Sequence, residues 1–409
     1  APGQVLRLAA QREILRRGAK PAFAQGLETL AGSERPLPAR VAALFTLGLL
    51  QRDATAPLLR LARRDDLREF ALRALADRPS DRSSLASTPF EDALRDPNPR
   101  VRLQAVVGLG RLGRGESATA IVPLSVDDDP LVAHAAINVL VALHAADPCL
   151  KALAPSTPKL IPGAVRVLQR LHHSHTVEGL TGKLSSEGDD AMRRAVLKAL
   201  CRLYYREADW DGKWWTTRPD TTGPYYQPVA WAETETIGRT LRAALADSDD
   251  ATARWLLVEL IKHGIDFKES TGRAMALSAD DPALRSVAVD MVASRASLTP
   301  DALRFLGSVA TSEKAEPALR AKSLRGLLRH IDQPGVLDAA IPVFAAIHAQ
   351  EAPPSDSLGV LNDFLSDGRQ AKSPGPFLKL AADPSPDRSA LGFAVLLRAE
   401  TNPRLPSSV

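Results

Sequence analysis

The sequence predicts an all-α protein, a solenoid of stacked helical hairpins, and three observations carry that prediction. Leu, Ala and Arg dominate while aromatic residues make up only 5% of the 409 residues. This bias favours helices over strands, which want Val, Ile, Tyr, Phe and Thr. An acidic turn, often holding a proline, recurs along the chain and each time leads into a helix with one apolar stripe. A small or medium residue marks each of those helices at a nearly constant interval. With 45% hydrophobic and 24% charged residues the composition is that of a water-soluble protein, and no apolar run approaches the roughly 20 residues that span a bilayer.

In chain order, the opening Val5–Leu15 already reads as a helix, without Met, a charged leader or an apolar leader core, and fits a piece of a longer polypeptide. Asp96-Pro97-Asn98-Pro99 leads into a helix with Ala105 four places before Leu109. Asp127-Asp128-Asp129-Pro130 leads into one with Ala136 four places before Leu140. In each, acidic oxygens cap the free amides of the first turn, and Pro suits the first helical positions. The pattern recurs around Asp65-Asp66, Gly188-Asp189-Asp190, Asp247–Asp250, Asp280-Asp281-Pro282 and Asp383-Pro384. The marker residues are Ala43, Ala71, Ala105, Ala136, Ala164, Val196, Leu256, Ala288 and Ser323, at intervals of 28, 34, 31, 28, 32, 60, 32 and 35. One interval therefore equals one hairpin. A lone hairpin cannot bury its stripe, so neighbours must stack, and a period of about 30–40 residues predicts about ten or more hairpins. These residues resemble the HEAT-repeat family over nearly the whole chain, which makes the expected fold an armadillo-like α–α superhelix.

The interval of 60 marks an insertion. Residues 204–231 hold all four Tyr and four of the five Trp of the chain, and Pro219, Pro224 and Pro228 forbid a regular helix there. The expected organisation is HEAT-like repeats over 1–203, an irregular aromatic insertion over 204–231 and repeats again over 232–349. Degenerate repeats, a cap and a tail fill 350–409, where Pro353-Pro354 and Ser373-Pro374-Gly375-Pro376 interrupt the pattern.

The insertion carries the candidate binding set: Trp210, Trp214, Trp215, Arg218, Asp220, Tyr225, Tyr226 and Trp231. The rings offer a stacking platform for sugars or a hot-spot patch for a protein partner, with Arg218 and Asp220 as polar contacts. Alternatively, the loop folds back and plugs the solenoid, which also demands Pro, Gly and aromatics. Large rings left exposed are costly unless used, which favours the plug. The two are compatible if part of the loop packs and part is presented.

Other motifs have simpler explanations. Gly108-Leu109-Gly110-Arg111-Leu112-Gly113 matches a dinucleotide fingerprint, but that mechanism needs a strand before it, and here an amphipathic helix ends at these glycines. His172-His173-Ser174-His175 offers imidazoles pointing in different directions with no Cys or carboxylate at zinc spacing, so a solvated helix end is expected rather than a metal site. No catalytic motif occurs, and the chain is expected to be non-enzymatic and to need no cofactor. Arg102, Arg166, Arg194, Arg254, Arg285 and Arg320 recur at similar places. They form either a basic groove for nucleic acid or a ladder bonded to the acidic turns. The charge is modest: residues 1–114 hold 20 Lys and Arg against 12 Asp and Glu, a net of +8, and the total of +4 leaves −4 for the rest. The ladder is the expectation, and nucleic acid is disfavoured.

The run Trp214–Pro228, set inside HEAT-like repeats, resembles the middle region of planctomycete-type multidomain haem-binding and membrane-bound dehydrogenase-like proteins. That resemblance implies export to the periplasm or exterior and a scaffolding role beside redox or carbohydrate-related domains. Haem attachment does not carry over: there is no CxxCH, and Cys149 and Cys201 lie 52 residues apart. The expected function is a non-catalytic scaffold for a protein partner or for flanking domains of the same polypeptide. Carbohydrate binding through the insertion is the alternative, and a HEAT-like DNA-binding protein or DNA glycosylase is a third.

Overall fold

The computed structural model describes residues 3–50, 54–77, 85–185, 190–212, 224–348, 355–357, 359–360 and 375–400. The described residues form 22 α-helices and a single two-stranded β-ribbon. The chain divides into two compact units, 1–241 and 242–409.

In the first unit, α1 (Gln4–Arg17) precedes a series of hairpins. Here α2 (Pro21–Gly32) packs on α3 (Leu37–Leu50), α4 (Thr55–Leu61) on α5 (Arg68–Ala76) and α6 (Thr88–Ala93) on α7 (Pro99–Leu112). The short α8 (Ala118–Ile121) and the 3₁₀ turn after it meet α9 (Pro130–Ala142). Then α10 (Ala146–Ala152) pairs with α11 (Ile161–Leu168), and α12 (Ser174–Ser185) with α13 (Asp190–Leu203). The second helices of the hairpins form one row, α3 on α5 on α7 on α9 on α11 on α13. That row carries the markers: Ala43, Ala71, Ala105, Ala136, Ala164 and Val196 are all 3% exposed or less. Small side chains there let adjacent helices approach while Leu and Val fill the rest of the stripe.

The chain continues through α14 (Thr234–Ala246). The second unit then repeats the plan with α15 (Asp250–Lys262), α16 (Lys268–Leu277), α17 (Pro282–Ala293), α18 (Pro300–Thr311), α19 (Pro317–Arg329) and α20 (Val336–His348). Its row is α15 on α17 on α19, with Leu256, Ala288 and Ser323 fully buried. A last hairpin, α21 (Gly375–Ala381) with α22 (Pro386–Glu400), follows.

The turns behave as their chemistry dictates. Asn98 accepts from Arg100 N, Asp129 from Leu131 N and Val132 N, Asp249 from Thr252 N, and Asp281 from Leu284 N. The glycine triplet belongs to the end of α7. Gly113 is its left-handed C-cap at φ +66°, and a β-carbon on Gly108 would run into the Phe90 ring of α6.

Arginine rungs tie neighbouring repeats together. Arg102 holds both oxygens of Asp127 at 2.8 and 2.7 Å while donating to Asp96 O, and Arg254 reaches Asp281 at 3.2 Å. Arg285 donates to Ser278 O and Arg320 to Ala310 O, closing their own hairpins instead. Arg194 lies half-buried on α13. Arg166 departs from the expected ladder: it lies exposed on α11, because its place in the repeat differs from that of Arg102. Two further arginines, each three places before its marker as Arg102 is, add rungs: Arg40 to Asp66 at 2.5 Å and Arg68 to Asp96 at 2.6 Å. Pairing holds the Asp66, Asp127 and Asp281 carboxyls below the ordinary carboxylate range: through Arg40 at Asp66, through Arg102 at Asp127 against the cost of burial, and through the cap amides and Arg254 at Asp281.

Candidate functional site: the base of the aromatic insertion

The insertion leaves the solenoid at the end of α13 and returns at α14. Its two ends form the β-ribbon, β1 (Arg206–Glu207) antiparallel to β2 (Pro228–Val229), with Arg206 opposite Val229 and Glu207 opposite Pro228. Ala208 N donates to Gln227 O at 2.8 Å, extending the closure by one bond. The Glu207 carboxylate uses both oxygens on main-chain amides, accepting from Tyr226 N at 2.8 Å and Gln227 N at 2.7 Å.

Beneath the ribbon, α13 ends with carbonyls that have no partner within the helix. Four successive carbonyls there each receive a side chain from another part of the chain. Tyr225 Oη donates to Arg202 O at 2.9 Å, Trp231 Nε1 to Leu203 O at 2.7 Å, Thr234 Oγ1 to Tyr204 O at 2.8 Å and His172 Nε2 to Tyr205 O at 2.9 Å. A carbonyl can only accept, so His172 carries its proton on Nε2. The rings interlock as well: His172 stands edge-on to Trp231 at 5.2 Å and to Tyr225 at 6.1 Å, and the Arg202 guanidinium lies 3.9 Å over the Tyr225 ring.

Electrostatics follow from that packing. Burial, with the charges of Arg202 and Arg206 close by, lowers the His172 pKa and keeps its ring neutral. Burial pushes the Tyr225 phenol up to about 12. His172 Nε2 also lies 3.1 Å from Tyr225 Oη, and with both rings bonded to main-chain carbonyls the pair forms a structural clamp. Among the described residues no group of three or more His, Cys, Asp or Glu side chains is placed to hold a metal ion.

The sequence-derived set divides accordingly. Tyr225 and Trp231 belong to the clamp, with Tyr226 half-buried beside it. Trp210, just beyond the ribbon, is 66% exposed. Trp214, Trp215, Arg218 and Asp220 lie outside the described residues. His172 corrects the expectation of a solvated helix end, since only His173 and His175 are exposed: His173 meets His144 at 3.2 Å, and His175 meets Asp147 at 2.6 Å. The adjacent-histidine run conceals this role, because the groups that cover His172 come from residues 205–231. Arg202, Glu207 and Thr234 also carry the clamp, and no local motif announces them.

Residues 87–161, from just before α6 to the first residue of α11, match the family model described as HEAT repeats. The chain is similar to Kap121p in its structure bound to Nup53p, with a TM-score of 0.52 and 12% identity over 97% of this chain and 47% of that one. The fold is a HEAT-like α–α superhelix. Kap95p bound to RanGDP aligns with a TM-score of 0.48 at 13% identity, covering 97% of this chain and 59% of that one. Importin beta aligns with a TM-score of 0.37 at 12% identity, covering 98% and 65%. The chain thus spans about half the length of Kap121p and less than two thirds of the other two. No curated protein matches the chain.

Proposed function

We propose that the chain is a non-catalytic scaffold whose aromatic insertion presents a surface to a protein partner or to flanking domains of the same polypeptide. The observation that carries this is Trp210: a large apolar ring, 66% exposed, on a base clamped at four carbonyls. An exposed aromatic beside a clamped base is the kind of residue that anchors protein interfaces. The HEAT-like fold supports the same reading, since such solenoids serve widely as binding surfaces. Placement within a larger exported protein of redox or carbohydrate function rests on the resemblance of the Trp214–Pro228 run alone, as does a periplasmic or extracellular location. Nucleic acid recognition is opposed by the rungs: Arg68, Arg102 and Arg254 are engaged with Asp96, Asp127 and Asp281 instead of facing a phosphate groove.

Site-specific photocrosslinking in the cell of origin tests the proposal. A benzophenone side chain at position 210 is expected to give discrete protein adducts, and the same group at exposed Arg166 none. Absence of adducts at 210 overturns the scaffold reading. Saturable retention on polysaccharide, lost in a Trp214→Ala, Trp215→Ala double variant, replaces it with carbohydrate binding.

A further inference from the structure

The outer face of α3 has no polar side chain. Between Leu37 and Leu50 the only polar residues are Arg40 and Thr46, and both are buried. One face of the helix, with Ala43, Leu44 and Leu47, enters the core. The opposite face bears a second stripe, Pro38, Val41, Ala42, Phe45 and Leu49, at the spacing of a helical seam. Helix α7, two places along the same row, shows the contrast, with Arg100, Gln104 and Arg111 away from its core positions. A helix apolar on all sides is normally buried on all sides. Here the second stripe instead floors an open groove of about 610 Å³ walled by α1 and α5, which both pack on α3. Leu49 is 66% exposed, and six of the twelve exposed large apolar side chains among the described residues fall within the first 50 positions.

The walls carry two guanidinium groups and one carboxylate. Arg7 projects from α1, and Arg73 from α5, where its guanidinium lies 5.9 Å from the centre of the Phe45 ring. Asp77, the acidic group at the rim, is already shared between Arg73 and Arg111. The basic balance of residues 1–114 extends the same field.

We propose that this groove receives an acidic amphipathic helix of a protein partner. Its apolar side chains at i, i+3, i+4 and i+7 would lie along the α3 stripe, and its carboxylates would meet Arg7 and Arg73. The stripe from Pro38 to Leu49 is about 16 Å long at 1.5 Å per residue, enough for about three turns of the incoming helix. An apolar floor supplies affinity, and paired basic walls set the sign of the partner. The occupant being protein rests on the scaffold reading, but the surface is separate from the insertion.

The test is fluorescence anisotropy on the full chain with three labelled 16-residue peptides. One has leucines on a helical seam flanked by glutamates, its twin has lysines for glutamates, and the third is a scramble of the first. Saturable binding of the glutamate peptide is expected, at least tenfold tighter than its twin or the scramble. Leu49→Asp is expected to weaken it at least tenfold. Arg73→Glu weakens the glutamate peptide and strengthens the lysine one. Leu131→Asp, an exposed leucine on α9, serves as the control and leaves binding unchanged. Equal binding of all three peptides, or none, overturns the proposal. So does a concentration-dependent dimer abolished by Leu49→Asp, which assigns the face to a second copy. Failure here leaves the crosslinking at position 210 intact, so the groove and the scaffold role fall separately.

Discussion

The joints between repeats and the base of the insertion solve the same problem by opposite means. Between α5 and α9 the ends of hairpins are tied by charged side chains at fixed spacing, Arg68 to Asp96 and Arg102 to Asp127. At the base of the insertion no ion pair closes the four carbonyls; neutral groups from residues 172, 225, 231 and 234 do. The first solution is periodic and local to adjacent repeats. The second is used once and draws on a window of more than 60 residues. The two should therefore fail under different conditions.

The largest effect separates them by place. Trp231→Ala removes a packed ring and the donor to Leu203 O, a loss of about 3 kcal/mol. Hydrogen exchange should accelerate at 204–208 and 224–231 while α7 and α9 stay protected; equal acceleration in the repeats would erase the distinction. Next, Arg102→Ala strands the largely buried Asp127 carboxylate and should cost about 2–3 kcal/mol in urea unfolding. Arg166→Ala, at an exposed position, should stay within about 0.5 kcal/mol.

Acid should sharpen the comparison by order of events. Folded His172 binds its proton less readily than an unfolded histidine, so stability from the neutral ring is complete above its ordinary 6.5 and drains away as pH falls toward the folded value. Asp66, Asp127 and Asp281 are likewise depressed, so their contribution is complete above 3.8 and disappears only as pH falls through still lower values. Tryptophan fluorescence from the base should thus change in mild acid, before far-UV circular dichroism reports loss of the helices. His175, raised by Asp147, has the opposite sign but is fully exposed. In alkali the Tyr225 phenol supports the base fully below 10, and that support is lost as pH rises toward about 12, visible as late tyrosine ionisation. The smallest effect is Trp210→Phe, which should leave stability within about 0.5 kcal/mol. It should remove a distinct iodide-quenchable part of the emission; unchanged quenching would place Trp210 among packed rings.

The comparison also explains what a sequence can disclose. The repeats are legible because each marker, cap and turn recurs: Asn98, Asp129, Asp249 and Asp281 all act as the acidic or amide caps their position suggests. Small register shifts between repeats defeat finer detail, so Arg166 falls outside the ladder while Arg40 and Arg68 fall within it. Aromatic density and prolines mark where the repeat pattern breaks, between the marker residues Val196 and Leu256. Its clamp is hidden, because the partners of His172 and Arg202 are main-chain atoms and rings set by the folded chain. No side-chain pattern encodes a bond to a carbonyl.

The β-ribbon has one more consequence. The Ala208 to Gln227 bond fixes the two ends of the intervening segment side by side, whatever lies between them. Closing a loop whose ends are already joined costs only slightly more as residues are added, about 0.6 kcal/mol for each doubling. The ribbon therefore acts as a socket: the segment it holds can lengthen, shorten or be exchanged for another while the α13 terminus and the repeats behind it keep their places. A solenoid built in this way can acquire a new recognition element at one point without redesigning its core.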